Sequence, residues 1–181
     1  MGPKPFFISF LCLFLCSSGG MAQIKAAGPV IKDYGAVWSI ENPDYKTSLD
    51  SPLKVVFDIM NSPDSPDALN ASIETAARFL NMHAQAGVPI ENLKVALVVH
   101  NKASKDICIS AAYQRRYGII NPNEQLVKDL LDAGAEIIFC GQSSLSRGFP
   151  ISETIDGVQL GLSAMTALIQ LQNQGYQLIK F

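Results

Sequence analysis

The chain has 181 residues, with 14 lysines and arginines against 16 aspartates and glutamates and a formal net charge of −2. That length fits one domain better than two. With 48% apolar and only 17% charged residues, a chain disordered over most of its length is excluded. The slight acidic excess leaves no basic footprint for phosphate contacts, so no nucleic-acid partner is expected.

At the N-terminus, one positive charge at Lys4 precedes an apolar run over 6–16, and small residues then lead to Gly20-Met21-Ala22. A charged region, a short apolar region and small residues in that order predict a secretory signal over 1–22, cleaved near Ala22. The product is expected to be exported, periplasmic or secreted. The run is shorter than the roughly 20 residues a membrane span needs, and no later stretch reaches that length, so no membrane span is expected after signal removal. Bulky Leu15 before Cys16 argues against a lipoprotein site. Cleavage removes Cys12 and Cys16 and leaves Cys108 and Cys140.

Residues 23–52 carry Gly28, Pro29, Gly35, Pro43, Pro52 and the single tryptophan, Trp38. Breakers at this density predict an extended N-terminal arm. Its apolar side chains either anchor it across the domain or a neighbouring subunit, with Trp38 as the anchor, or belong to a flexible leader. From residue 53 to 181 the pattern becomes that of a folded domain. Apolar, β-rich runs predict strands at 54–59, 92–99, 136–140, 158–162 and 176–180. Helical spacing predicts helices at 67–86, 103–117, 123–133 and 163–173. Continuous apolar strands alternating with helices predict a mostly parallel sheet inside a three-layer α/β/α domain.

In open α/β sheets, ligands gather beyond the carboxyl ends of the strands. Three such ends are legible: Met60-Asn61-Ser62, His100-Asn101-Lys102, and Cys140-Gly141-Gln142-Ser143-Ser144. Cys140 closes a strand, Gly141 allows a sharp turn, and the amides of that turn would point at the sulfur and favour the thiolate. The alternative is a buried structural cysteine. His100 and Arg147 are candidate tuners of the thiol, and Asn61 and Asn101 complete the polar lining. The six residues between Cys140 and Arg147 do not fit a phosphatase signature loop. Cys108 is expected on a helix face as a packing residue, with a Cys108–Cys140 disulfide as the alternative in an oxidising compartment. His83 reads as an ordinary helix residue. Asn70-Ala71-Ser72 matches a glycosylation sequon, and Tyr113, Arg115, Arg116 and Tyr117 form a basic–aromatic cluster read as a surface or subunit contact. No metal-ligand spacing and no nucleotide-binding glycine loop occurs, so neither a metal nor a cofactor is expected.

Phe79-Leu-Asn-Met-His-Ala84 with Gly87-Val88-Pro89, Leu97-Val-Val-His100, the stretch from Ala112-Tyr113 to Asn121-Pro122-Asn123, Cys140-Gly-Gln-Ser143, and Ser163-Ala-Met-Thr-Ala-Leu168 with Gly175-Tyr176 together resemble the DsrE/DsrF-like family. That group includes YchN-type and sulfur-relay proteins, and the similarity runs over about 54–181. The resemblance implies a parallel five-stranded α/β/α fold assembled as homotrimers or homohexamers. It also implies that a cysteine after the third strand carries sulfur as a persulfide for a partner protein, and Cys140 holds that position. An exported, sulfurtransferase-like sulfur carrier is the leading expectation, with sulfur donor and acceptor proteins as partners and Gly141, Gln142, Ser143 and Ser144 cradling the sulfur. The rival is a non-enzymatic oligomeric module that binds a small ligand, and a third reading is a redox role for a Cys108–Cys140 pair.

Overall fold

The computed structural model describes Gly2 and residues 24–180. The expected signal, Gly2 apart, lies outside the described residues. The apolar run Leu53–Ile59 forms β1 and pairs in parallel with β2, Leu93–Val99, in register from Leu53 opposite Leu93 to Ile59 opposite Val99. β3 (Glu136–Cys140) joins β2, β4 (Gln159–Gly161) joins β3, and β5 (Gln177–Ile179) joins the far side of β1. The resulting five-stranded sheet is parallel throughout, in the order β4-β3-β2-β1-β5. The α/β architecture expected from the sequence is therefore the observed one.

Side chains alternate across a strand, and the two faces are covered unequally. Val55, Phe57, Ile59, Val95, Leu97, Val99, Ile137 and Phe139 face a large core. It is closed by α1 (Ala71–Gln85), α2 (Ser110–Tyr117) and α3 (Glu124–Asp132). Val56, Ala96, Val98 and Cys140 face a small core under α5 (Ala164–Asn173), which meets the sheet through Ala164, Ala167 and Leu171. Among the described residues, no helix is long and apolar enough to cross a membrane.

Several boundaries differ from the sequence reading for local reasons. α1 starts at Ala71 because Asn70 caps it, its side chain accepting from the Ser72 N–H at 2.9 Å. The same carboxamide donates to Asp106 at 2.6 Å, and Asn70 is buried, so its sequon is a structural cap and not an accessible glycosylation site. The helix expected over 103–117 is broken into a 3₁₀ segment, Asn101–Ile107, and α2. Between them the Cys108 backbone forms an antiparallel bridge to Thr154. A short helix not expected from the sequence, α4 (Gly141–Arg147), begins directly after Cys140 and ends at Gly148, which turns left-handed at φ 69°.

The arm is docked on α1. Asn81, inside α1, accepts from the Val30 and Ile31 amides at 3.1 and 2.8 Å. It donates to the carbonyls of Ile31, Tyr34 and Gly35 at 2.9, 2.9 and 3.2 Å. Gly35 lies so close to α1 that a Cβ there would stand 2.5 Å from the Ala77 carbonyl carbon. Trp38 is not the anchor: it is 47% exposed, whereas Ile31 is 2% exposed and belongs to the main core. Polar groups along the arm backbone need buried partners, and a helix carboxamide meets that need better than an indole lying on the surface.

Candidate functional site

The connection after β3 returns over the large core, where Phe149 and Ile155 are buried, whereas the chain leaving β4 enters α5 on the opposite face. Adjacent connections running to opposite faces open a crevice at the carboxyl ends of their strands. Cys140 stands there, at the end of β3, opposite Gly161 of β4.

The Cys140 sulfur is enclosed by hydrogen-bond donors. Burial, which leaves the residue 5% exposed, pushes its pKa up, yet the backbone and hydroxyl of Ser143 and the amides of Ala164 and Gln142 outweigh that effect. The net direction is down from the ordinary thiol value, toward the thiolate. Three donors come from the first turn of α4 and one from the first residue of α5, so the crevice itself assembles the nest. Gly141 permits this by its size. A Cβ there would stand 2.7 Å from the Gly161 carbonyl oxygen, while its backbone needs no left-handed turn. The sharp turn expected of Gly141 is thus a close approach of β4.

Two side-chain chains lead away from this point. Ser143 Oγ accepts from the Asn101 amide at 3.0 Å, and the Asn101 carboxamide oxygen accepts from Arg147. Asn101 holds a left-handed φ of 53°, a conformation asparagine tolerates better than most residues. Arg147 therefore reaches the thiol only through Asn101 and Ser143. On the other side, extending the β2–β3 register by one residue sets His100 beside Cys140. The imidazole turns away from the sulfur to Asp58, with Nε2 and Oδ1 2.6 Å apart, and the Lys180 ammonium meets Asp58 Oδ2 at 2.7 Å. Burial pushes the Asp58 carboxyl up, but hydrogen bonds from Lys180 and His100 hold it below its ordinary value. Asp58, His100 and Cys140 thus share one sheet face, on three successive strands.

The remaining expected residues divide. The Gln142 side chain donates to the Leu162 carbonyl at 3.4 Å while its amide serves the sulfur. Ser144 is buried and donates to the Phe149 carbonyl at 2.8 Å, so it closes α4 and is no part of the cradle. Asn61 offers its carbonyl to Asn70 at 2.9 Å and does not join the Cys140 nest. The basic–aromatic cluster is structural. Tyr113 is buried and donates to the Pro66 carbonyl at 2.6 Å, and Arg115 and Arg116 bind Glu153. Asp58 and Lys180 were missed, although a lone carboxylate inside the apolar run Lys54-Val-Val-Phe-Asp-Ile59 was a usable signal.

Cys108 does not pair with Cys140. Both thiols are free, and they belong to the two cores on opposite sides of the sheet. Burial pushes the Cys108 pKa up to about 12, and its thiol donates to the Ser104 carbonyl at 3.6 Å. Among the described residues, no group of three or more His, Cys, Asp or Glu side chains could hold a metal ion.

No curated protein sequence matches the chain. Among the solved structures that share its fold are the following two. A protein of unknown function, MTH1491 from Methanobacterium thermoautotrophicum, is 16% identical with a TM-score of 0.53. The YchN protein from E. coli is 18% identical with a TM-score of 0.50. Each alignment covers 71% of this chain and 99% of the other. The sequence model of the DsrE/DsrF-like family matches residues 54–181, from β1 to the last residue. The chain belongs to the DsrE/DsrF-like family, a group associated with sulfur relay.

Proposed function

We propose that this protein is an exported sulfur carrier that holds sulfane sulfur as a persulfide on Cys140. The observation that carries this reading is the donor nest around the buried thiol, which favours the charged sulfur. The Cys140 thiolate attacks a sulfane sulfur of a polysulfide, forming one S–S bond as the donor's S–S bond breaks and its thiolate leaves with the electron pair. A partner thiolate then attacks the outer sulfur, the new S–S bond breaks, and Cys140 leaves as thiolate. The same amides stabilise the thiolate at both ends of the exchange. His100, held by Asp58, stands beside the crevice as a group able to accept or return a proton from an incoming thiol.

Mass spectrometry after exposure to polysulfide tests this. The protein should gain the mass of one sulfur atom, reversed by a reducing thiol, and Cys140→Ser should gain none while Cys108→Ser gains it fully. A modification that persists in Cys140→Ser, or its absence from the unaltered chain, refutes the reading.

Self-association accompanies this proposal. Leu162 and Met165 are 73% and 74% exposed, and Leu160 and Ile169 are exposed beside them on β4 and α5, an apolar surface suited to a second copy. Light scattering should find a trimer or hexamer that Met165→Lys with Ile169→Lys dissociates.

A further inference from the structure

Beside the Cys140 crevice, the segments following β1 and β2 and the end of α4 line a second, solvent-open cavity of about 220 Å³. Its wall includes Ser62, Lys102, Lys105, Tyr117, Arg147 and Phe149, with Pro63 and Asp64 completing it. Three cationic side chains from two separate segments thus converge on one small space. Their charges are not equally committed. Lys105 is held by Asp106, with Nζ and Oδ1 2.7 Å apart, and lies over the rings of Tyr113 and Tyr117. Arg147 is engaged only with the neutral carboxamide of Asn101, and among the described residues no carboxylate forms an ion pair with Arg147 or Lys102. Asp64 is the one carboxylate on the wall, and it leaves a cationic excess.

A second observation is independent of charge. Ser62 Oγ is buried and has no hydrogen-bond partner. Buried hydroxyls are paired in nearly every folded protein, and an exception calls for a missing partner. Ser62 lines the cation-lined cavity, and a rotation of its buried hydroxyl into that space would meet an acceptor of negative charge.

We propose that this cavity binds a small oxyanion of the sulfate, phosphate or thiosulfate class. Lys102 and Arg147 balance its charge, Ser62 Oγ donates to it, and Tyr117 and Phe149 close the wall. The site does not rest on sulfur transfer at Cys140. It does share Arg147 with the Asn101–Ser143 chain, so a bound anion draws on the residue that braces the thiol's hydrogen-bonded neighbour.

Isothermal titration of the full chain with sulfate, phosphate and thiosulfate, at constant ionic strength set by chloride, tests the site and separates the sources. The expected result is saturable binding of one anion per chain for at least one of the three. Lys102→Gln and Arg147→Gln should each weaken it by about tenfold, the loss of one charge-assisted hydrogen bond. Ser62→Ala should weaken it less, and Cys140→Ser should bind as tightly as the unaltered protein. Because Lys102 is exposed, its replacement leaves the fold intact and keeps the test decisive. Absence of saturable binding beyond chloride, or binding indifferent to both charge replacements, overturns the proposal. A failed sulfur-transfer assay leaves it standing.

Discussion

Replacing Asn81 by alanine should detach the arm from α1. The carboxamide makes five hydrogen bonds to arm backbone, accepting from Val30 and Ile31 and donating to Ile31, Tyr34 and Gly35. A buried bond of this kind contributes about 1 kcal/mol net, and a buried group left unpaired costs about 1–3 kcal/mol. If the arm stays in place, its polar groups lose their partners. If it lifts, water satisfies them, but Ile31 leaves the core at a cost of about 1.5–3 kcal/mol. Several groups left unpaired would cost more than that, so the chain takes the cheaper route, lifting, at about 3 kcal/mol. For a protein of this size that is a fall of about 6–12 °C in Tm. Urea unfolding measures the free energy, and hydrogen exchange at the Val30 and Ile31 amides locates it. Asn81→Asp keeps both accepting bonds but sets a carboxylate against three carbonyls, so it should be at least as damaging. A loss below about 1 kcal/mol, with both amides still exchanging slowly, would refute the reasoning.

Other outcomes follow from the two thiols and from Gly141, the first residue of α4. Alkylation of Cys140 tracks the thiolate, so its rate should level off at a lower pH than that of a free thiol, and a midpoint at or above about 8.5 contradicts the nest. Because the folded state holds this proton less tightly than the unfolded chain, the protein should gain stability over Cys140→Ser as pH rises toward the ordinary thiol range. That advantage should vanish as pH falls through the folded value, as matched urea titrations will read. Cys108 acts in the opposite sense. Its pKa is raised from 9.0 to about 12, so the unfolded chain ionises first. Stability relative to Cys108→Ala should then fall by up to about 1.4 kcal/mol per pH unit above pH 9. Gly141→Ala should cost about 1–3 kcal/mol through overpacking against Gly161 and slow the alkylation of Cys140, while unchanged kinetics would show that β4 does not hold the Ala164 amide in place.

The sheet was legible because a strand buried on both faces writes itself as a run such as Leu93-Lys-Val-Ala-Leu-Val-Val99. Cys140 was legible because it closes such a run. The rest of the site depended on contacts that no local pattern carries. Periodicity gives no sign that β4 and α5 return to the sulfur, so the Ala164 amide could not be foreseen. Asp58 and Lys180 lie 122 residues apart and meet only because β5 adds to the outer side of β1. α4 was hidden by its composition, since Gly-Gln-Ser-Ser reads as a turn. Trp38 misled because size suggested an anchor, whereas the arm is held by a carboxamide whose partners are backbone atoms.

The unequal clothing of the sheet has a kinetic meaning. Three helices lock one face, but the face bearing the sulfur is roofed by a single helix of ten residues resting on two alanines and a leucine. So thin a layer opens more readily than the global unfolding that would expose the other side. Cys140 as a residue is 5% exposed, so a bulky reagent should reach it faster when the first turn of α5 frays. Each such excursion also withdraws the Ala164 amide from the thiol. In such an excursion, access to the thiol and stabilisation of the thiolate therefore trade against each other. Under the proposed function, the packing of Ala164 and Ala167 would set how fast this cysteine exchanges sulfur.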